Sequence, residues 1–216
     1  SVLDMQSESL QDEEETEKNN LSEVLQETAY SLRKLDLSSS ATWPNSSEGV
    51  QLKSLEPKSV LEVKNLIELR ANKTKFPIDT LAALLENNVH LQSIDLHRCA
   101  PFAKKGSMFH VPRFELKQLE SLQAIESTIS SELLASILKS SENLKKLSLE
   151  NLYMSYKRNR PKYLTRQQIL DCALSNLEEL RLGITYIEAD AFSAFLEKAP
   201  NLKELQDGLK ILIDPA

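Results

Sequence analysis

Apolar residues return along this chain as L-x-x-L-x-L, with polar residues at almost every x. The clearest units are Leu91/Ile94/Leu96, Leu144/Leu147/Leu149 and Leu177/Leu180/Leu182. Leu32/Leu35/Leu37, Leu66/Leu69/Ala71, Leu119/Leu122/Ala124 and Leu202/Leu205 complete seven, the last interrupted by Asp207. First leucines fall at 32, 66, 91, 119, 144, 177 and 202; three of the six intervals are 25 and the others are 25 plus an insertion. Self-similarity at a fixed period outranks any local reading of secondary structure. Leu3-Asp4-Met5 reads as the stub of an eighth unit.

In L-x-L the two apolar side chains share one face of a short strand, and the residue between them takes the other. A lone strand cannot bury that face, so each unit must stack on its neighbours. The runs between strands carry helical periodicity and supply the opposing layer. The stripes are Ile78, Leu81, Ala82, Leu84 and Leu85; Leu133, Leu134, Ile137 and Leu138; Ile169, Leu170, Ala173 and Leu174; and Ala189, Phe192, Phe195 and Leu196. Thr165 with Gln168 predicts a capping box at the start of the third. Asn20 is placed to cap an opening helix through Leu21, Val24, Leu25 and Thr28. Helical signal is weak around Pro57 to Val63 and from Ala100 to Lys117.

With these units in view, the chain resembles the leucine-rich repeat family, in a degenerate form of its helix-containing subclasses. These are the ribonuclease-inhibitor-like and the cysteine-containing, F-box-associated kinds. The best local match is Leu180-Arg181-Leu182-Gly183-Ile184-Thr185, followed by Ala191 to Leu202. The resemblance covers roughly Leu21 to Leu205. It implies an α/β leucine-rich-repeat solenoid, a short horseshoe with parallel strands on the concave face and helices on the convex face. Residues 21–216 would form about seven irregular repeats, preceded by an acidic segment or truncated repeat over 1–20. The family places Asn or Cys three residues after the last strand leucine; here those positions hold Ser40, Thr74, Cys99, Ser127, Leu152 and Thr185. Leu152 departs from that pattern, so an irregular fifth turn is expected.

With 216 residues, 41% hydrophobic and 27% charged, the chain is ordinary for a soluble domain. Four glycines leave little scope for Gly-rich phosphate loops. A net charge of −6 and a pI near 5.3 disfavour bulk affinity for nucleic acid. Cys99 and Cys172 form no spaced framework, and a reducing, cytoplasmic setting is the default reading. No transmembrane segment is expected, nor a signal peptide, and the chain reads as a monomer. It opens on Ser1 rather than Met, which leaves room for upstream sequence.

Two surfaces could carry function. Across the strands, the expected concave face reads Lys34/Asp36/Ser38, Glu68/Arg70/Asn72, Ser93/Asp95/His97, Ser121/Gln123/Ile125, Lys146/Ser148/Glu150, Glu179/Arg181 and Glu204/Gln206. Arg70, Asn72, Asp95, His97, Gln123, Lys146, Glu150, Glu179 and Arg181 are the candidate binding residues there. The second is a basic rim built by two insertions, one with Lys104 and Lys105, the other spanning Tyr153 to Arg166 with Tyr156, Lys157, Arg158, Arg160 and Lys162. Basic residues interleaved with aromatics suit nucleic acid, an acidic protein patch or lipid head groups.

His97, Cys99 and His110 lack metal-ligand spacing, no motif of catalysis or cofactor binding is present, and neither metal, cofactor nor enzymatic activity is expected. The function read from this is recognition of another protein. By resemblance such modules act as ubiquitin-ligase substrate receptors, secreted bacterial effectors or adaptors. The alternatives are a nucleic-acid or acidic-surface binder using the Tyr153–Arg166 loop, and the recognition arm of an enzyme whose catalytic domain lies outside this chain.

Overall fold

A computed structural model describes residues 2–4, 25, 28, 30–38, 57–75, 77–101, 111–151, 156–157, 160–161, 164–183, 186–207 and 210–212. Every L-x-x-L-x-L unit supplies one strand, centred on its second apolar residue: β2 Lys34–Asp36, β3 Glu68–Arg70, β4 Ser93–Asp95, β5 Ser121–Gln123, β6 Lys146–Ser148, β9 Glu179–Gly183 and β11 Glu204–Asp207. With β1, Val2–Asp4, they form an eight-stranded parallel sheet in the order β1-β2-β3-β4-β5-β6-β9-β11. Leu3, Leu35, Leu69, Ile94, Leu122, Leu147, Leu180 and Leu205 stand opposite one another along one row, and the register shifts only between Gln206 and Asp207 at the end of β11.

Backbone bonds carry the ladder past the strand ends at the same place in each unit. Leu37, Ala71, Leu96, Ala124 and Leu149 donate to the next strand at 2.7–2.8 Å. Beyond them the chain turns through a left-handed residue: Lys73, Arg98, Glu126 and Asn151 have φ between 50° and 56°. The fifth turn, expected to be irregular, follows this conformation through Asn151; Leu152 itself lies outside the described residues. Below the turn, Thr74, Cys99 and Ser127 are buried. Thr74 Oγ1 donates to Ala71 O at 2.7 Å and Ser127 Oγ donates to Leu96 O.

The helices are α1 Pro57–Val60, α2 Ile78–Asn87, α3 Ser131–Lys139, α4 Arg166–Leu170 and α5 Ala189–Lys198. Leu25 and Thr28 are also helical. Ile78, Leu81, Leu84 and Leu85 of α2 and Leu133, Leu134, Ile137 and Leu138 of α3 are buried in one cluster with the strand leucines. All helices with described side chains therefore lie on the leucine side of the sheet. Helix α4 begins at the expected capping box: Gln168 N donates to Thr165 Oγ1 at 3.3 Å, and Thr165 N to Gln168 Oε1 at 2.9 Å. It ends at Leu170, short of the stripe read from the sequence.

Helix α5 is rotated from its expected stripe. Ala191, Ala194 and Phe195 are buried, whereas Ala189 and Leu196 are exposed. Ala191 and Ala194 are the small residues of its buried face, and Phe195 fills the gap, with Phe192 of the expected stripe partly buried against the same core. Two small sheets were not expected: β10 Tyr186–Glu188 pairs parallel with β12 Lys210–Leu212, and β7 Tyr156–Lys157 pairs antiparallel with β8 Arg160–Pro161.

Candidate functional site: the polar face of the sheet

Because the strand apolar residues from Leu35 to Leu180 are buried on the helix side, the residues flanking them must line the opposite face; Leu205 of the last strand is exposed. Two straight rows result. One runs Lys34, Glu68, Ser93, Ser121, Lys146, Glu179 and Glu204; the other runs Asp36, Arg70, Asp95, Gln123, Ser148, Arg181 and Gln206. All fourteen are exposed or half-buried. The candidates Arg70, Asp95, Gln123, Lys146, Glu179 and Arg181 are thus brought together, with Asn72, His97 and Glu150 just past the strand ends.

The same ion-pair triad occurs twice on this face. Lys34 Nζ meets Glu68 Oε2 at 2.8 Å, and Arg70 meets Glu68 Oε1 at 2.5 Å. Lys146 Nζ meets Glu179 Oε2 at 3.1 Å, and Arg181 meets Glu179 Oε1 at 2.5 Å. The lysine hydrogen bond, followed by the arginine charge, holds each glutamate below the usual carboxylate range. Both glutamate side chains are only about 15% exposed, while their cations stand well out, at 43–65%.

Asp36 and Asp95 serve the backbone instead. Asp36 Oδ1 accepts from Ser38 N at 2.9 Å, and Asp95 Oδ1 accepts from His97 N at 3.1 Å. Asn72 Nδ2 donates to Asp95 Oδ2 at 3.0 Å.

Along the other end of the strands a second polar row runs Glu120, Lys145, Glu178 and Lys203. Lys145 bonds Glu120 at 3.0 Å and Lys203 bonds Glu178 at 2.9 Å. Beside it, Asn143, Asn176 and Asn201 each donate to a carbonyl of the preceding unit, at 2.7–2.9 Å. Lys145, Glu178 and Lys203 with the three asparagines line an open groove of about 300 Å³ whose cations are already paired. The recurring Asn before the first leucine was a visible signal that the expectation above did not use.

Cys99 and Cys172 are both 1% exposed, and burial pushes each thiol up to about 12. His97 is half-buried whereas Cys99 is buried, and His110 lies outside the described residues. So do Lys104, Lys105, Arg158 and Lys162. Of Tyr156, Lys157 and Arg160 the structure describes the backbone: within the insertion read as a loop, Tyr156–Lys157 pairs antiparallel with Arg160–Pro161, Lys157 directly opposite Arg160. Among the described residues no helix is long and apolar enough to cross a membrane.

No family model matches the chain, and no curated protein matches it. Solved structures do. An internalin, inlF, from Listeria monocytogenes is 16% identical with a TM-score of 0.53, over 83% of this chain and 43% of that one. The C-terminal domain of a tropomodulin from Caenorhabditis elegans is 12% identical with a TM-score of 0.39, over 85% of this chain and 92% of that one. This chain spans less than half of the internalin chain. At such identity the internalin likeness bears on fold alone, and it agrees with the stacked strands: the fold is leucine-rich-repeat-like.

Proposed function

We propose that the chain is a protein-recognition module that binds its partner across the polar sheet face, without catalysis. The observation that carries this is the face itself. Two in-register rows of polar side chains remain exposed or half-buried across seven strands, while the chain's described helices all pack against the other side. In a stacked array the extended sheet surface is where a partner gains most contact. The helical layer of α2, α3 and α5 supports a helix-containing subclass of the repeat family. Whether the module serves as a ligase substrate receptor, a secreted effector or an adaptor follows from the partner's identity. A photo-crosslinking residue at Gln123, in the middle of the face, is expected to form adducts with a protein partner. The same residue at Val89, exposed outside the face, is expected to form none. Equal labelling at both positions would remove the proposal.

A second reading draws on the β7–β8 pairing. Like charges at directly opposed positions disfavour each other, and Lys157 is paired with Arg160. A polyanion relieves that repulsion. Replacing Lys157, Arg158, Arg160 and Lys162 with Ala then abolishes polynucleotide binding, and log Kd rises linearly with log salt in the unaltered protein.

A further inference from the structure

We propose, resting on that reading of the sheet face, that the partner presents an acidic protein surface gripped at two points, by Arg70 and Arg181. The sequence Glu-Leu-Arg occurs at 68–70 and again at 179–181, each time with a lysine on the preceding strand opposite the glutamate. Each glutamate therefore receives two cations, and each triad carries one positive charge more than it neutralises. The glutamate also fixes its arginine. A guanidinium has five N–H donors in a rigid fork, and among the described residues each of these is held at one nitrogen by the carboxylate two residues before it. An arginine already oriented loses little rotamer freedom when it takes a second carboxylate.

The two arginines stand four strands apart, from β3 to β9, which at ~4.8 Å per strand is ~19 Å. Between them the arginine row holds Asp95, Gln123 and Ser148, and the neighbouring row Ser93, Ser121 and Lys146, so only the serines leave the floor low. The grips are unequal. Arg70 lies between Asp36 and Asp95 in its row, whereas Arg181 lies between the uncharged Ser148 and Gln206, with Glu204 in the neighbouring row. Arg181 is therefore the stronger anchor.

The test uses two synthetic helical peptides of equal composition, one with glutamate pairs 14 residues apart on one face, spanning ~21 Å, the other with pairs seven residues apart on one face. By fluorescence anisotropy at low salt, the wider peptide is expected to bind at least tenfold tighter, as two-point attachment predicts. Arg181→Gln should weaken it more than Arg70→Gln, and the double variant should erase its advantage. Equal affinity of the two peptides, or an unaltered preference in the double variant, overturns the inference. Crosslinking from Gln123 separates the two levels. A partner captured equally by the unaltered protein and by R70Q/R181Q keeps the interface and removes the arginine grip, and no capture at Gln123 removes both.

Discussion

Asn88 is the side chain whose loss should be felt most for its size. It is fully buried at the end of α2, and it joins two consecutive units. Its Oδ1 accepts from Leu66 N at 2.8 Å, and its Nδ2 donates to Val63 O at 2.7 Å and to Leu84 O at 2.8 Å. Asn88→Ala strands a buried N–H and two carbonyls, and each unsatisfied buried group costs roughly 1–3 kcal/mol. Water entering the vacated space offsets part of this, so a net loss of about 3 kcal/mol is expected. In a chain of this length that corresponds to a fall in Tm of roughly 6–12 °C.

Asn88→Asp adds a sign to the test. It keeps the acceptor but turns a lone pair towards two carbonyls, so burial raises the folded-state pKa of the new carboxyl. The variant is then least stable at neutral pH and recovers as pH falls and the acid regains a donor. Urea denaturation between pH 5 and 8 reads both effects, and hydrogen exchange at the Leu66 amide reads the local one. Asn88→Ala within about 0.5 kcal/mol of the unaltered protein, with Leu66 protection unchanged, would refute the bracing role.

Three further outcomes follow from named contacts. A Cβ at Gly183 would meet Glu150 Cβ at 2.7 Å and occupy φ +48°, so Gly183→Ala should lose roughly 1–3 kcal/mol in urea melts. Adding Glu150→Gly should recover only the contact part of that loss. Buried thiols pushed up to about 12 should leave Cys99 and Cys172 unreactive to a thiol reagent in the native protein and fully reactive in denaturant. Glu68 and Glu179 are depressed in the folded state, so their stabilisation is complete above the ordinary glutamate range and fades as pH drops through their lowered values. E68Q/E179Q should flatten stability against pH below about 4.3, by no more than about 1 kcal/mol per site on so open a face.

The strands were legible because a period-two pattern repeated at a near-constant interval has one consistent solution: leucines in, flanking residues out, register set by the unit. That placed Arg70, Asp95, Gln123, Lys146, Glu179 and Arg181 on one face before any coordinate. What escaped depended on volume or on distant partners. The orientation of α5 buries Ala191 and Ala194 and leaves Leu196 exposed, a packing choice that hydrophobicity alone ranks the wrong way. The β10–β12 pairing joins segments of three residues from successive units, too short to show a period. Asn88 looks like an ordinary helix-ending asparagine, and its three bonds reach back across 22 and 25 residues as well as into its own helix.

The same constraint that makes the core monotonous leaves the face free to differ. Strands β3 to β6 exit through a left-handed residue, a conformation that disfavours side chains, yet Lys73, Arg98, Glu126 and Asn151 adopt it, whereas β9 ends on Gly183 at φ +48°. The first three are held there by the ladder: Lys73 N donates to His97 O at 2.9 Å, Arg98 N to Ile125 O at 2.7 Å and Glu126 N to Glu150 O at 2.8 Å. Arg98 and Glu126 add a 2.6 Å bond between consecutive turns. At these turns the backbone is fixed by neighbours rather than by glycine, so side-chain identity there, and at row positions that bond no backbone group, is less constrained by folding. Those positions can then vary in charge and size with little effect on the stack. The duplication of Lys, Glu and Arg at equivalent places on two separate strand pairs is therefore informative, because stacking the strands does not require it.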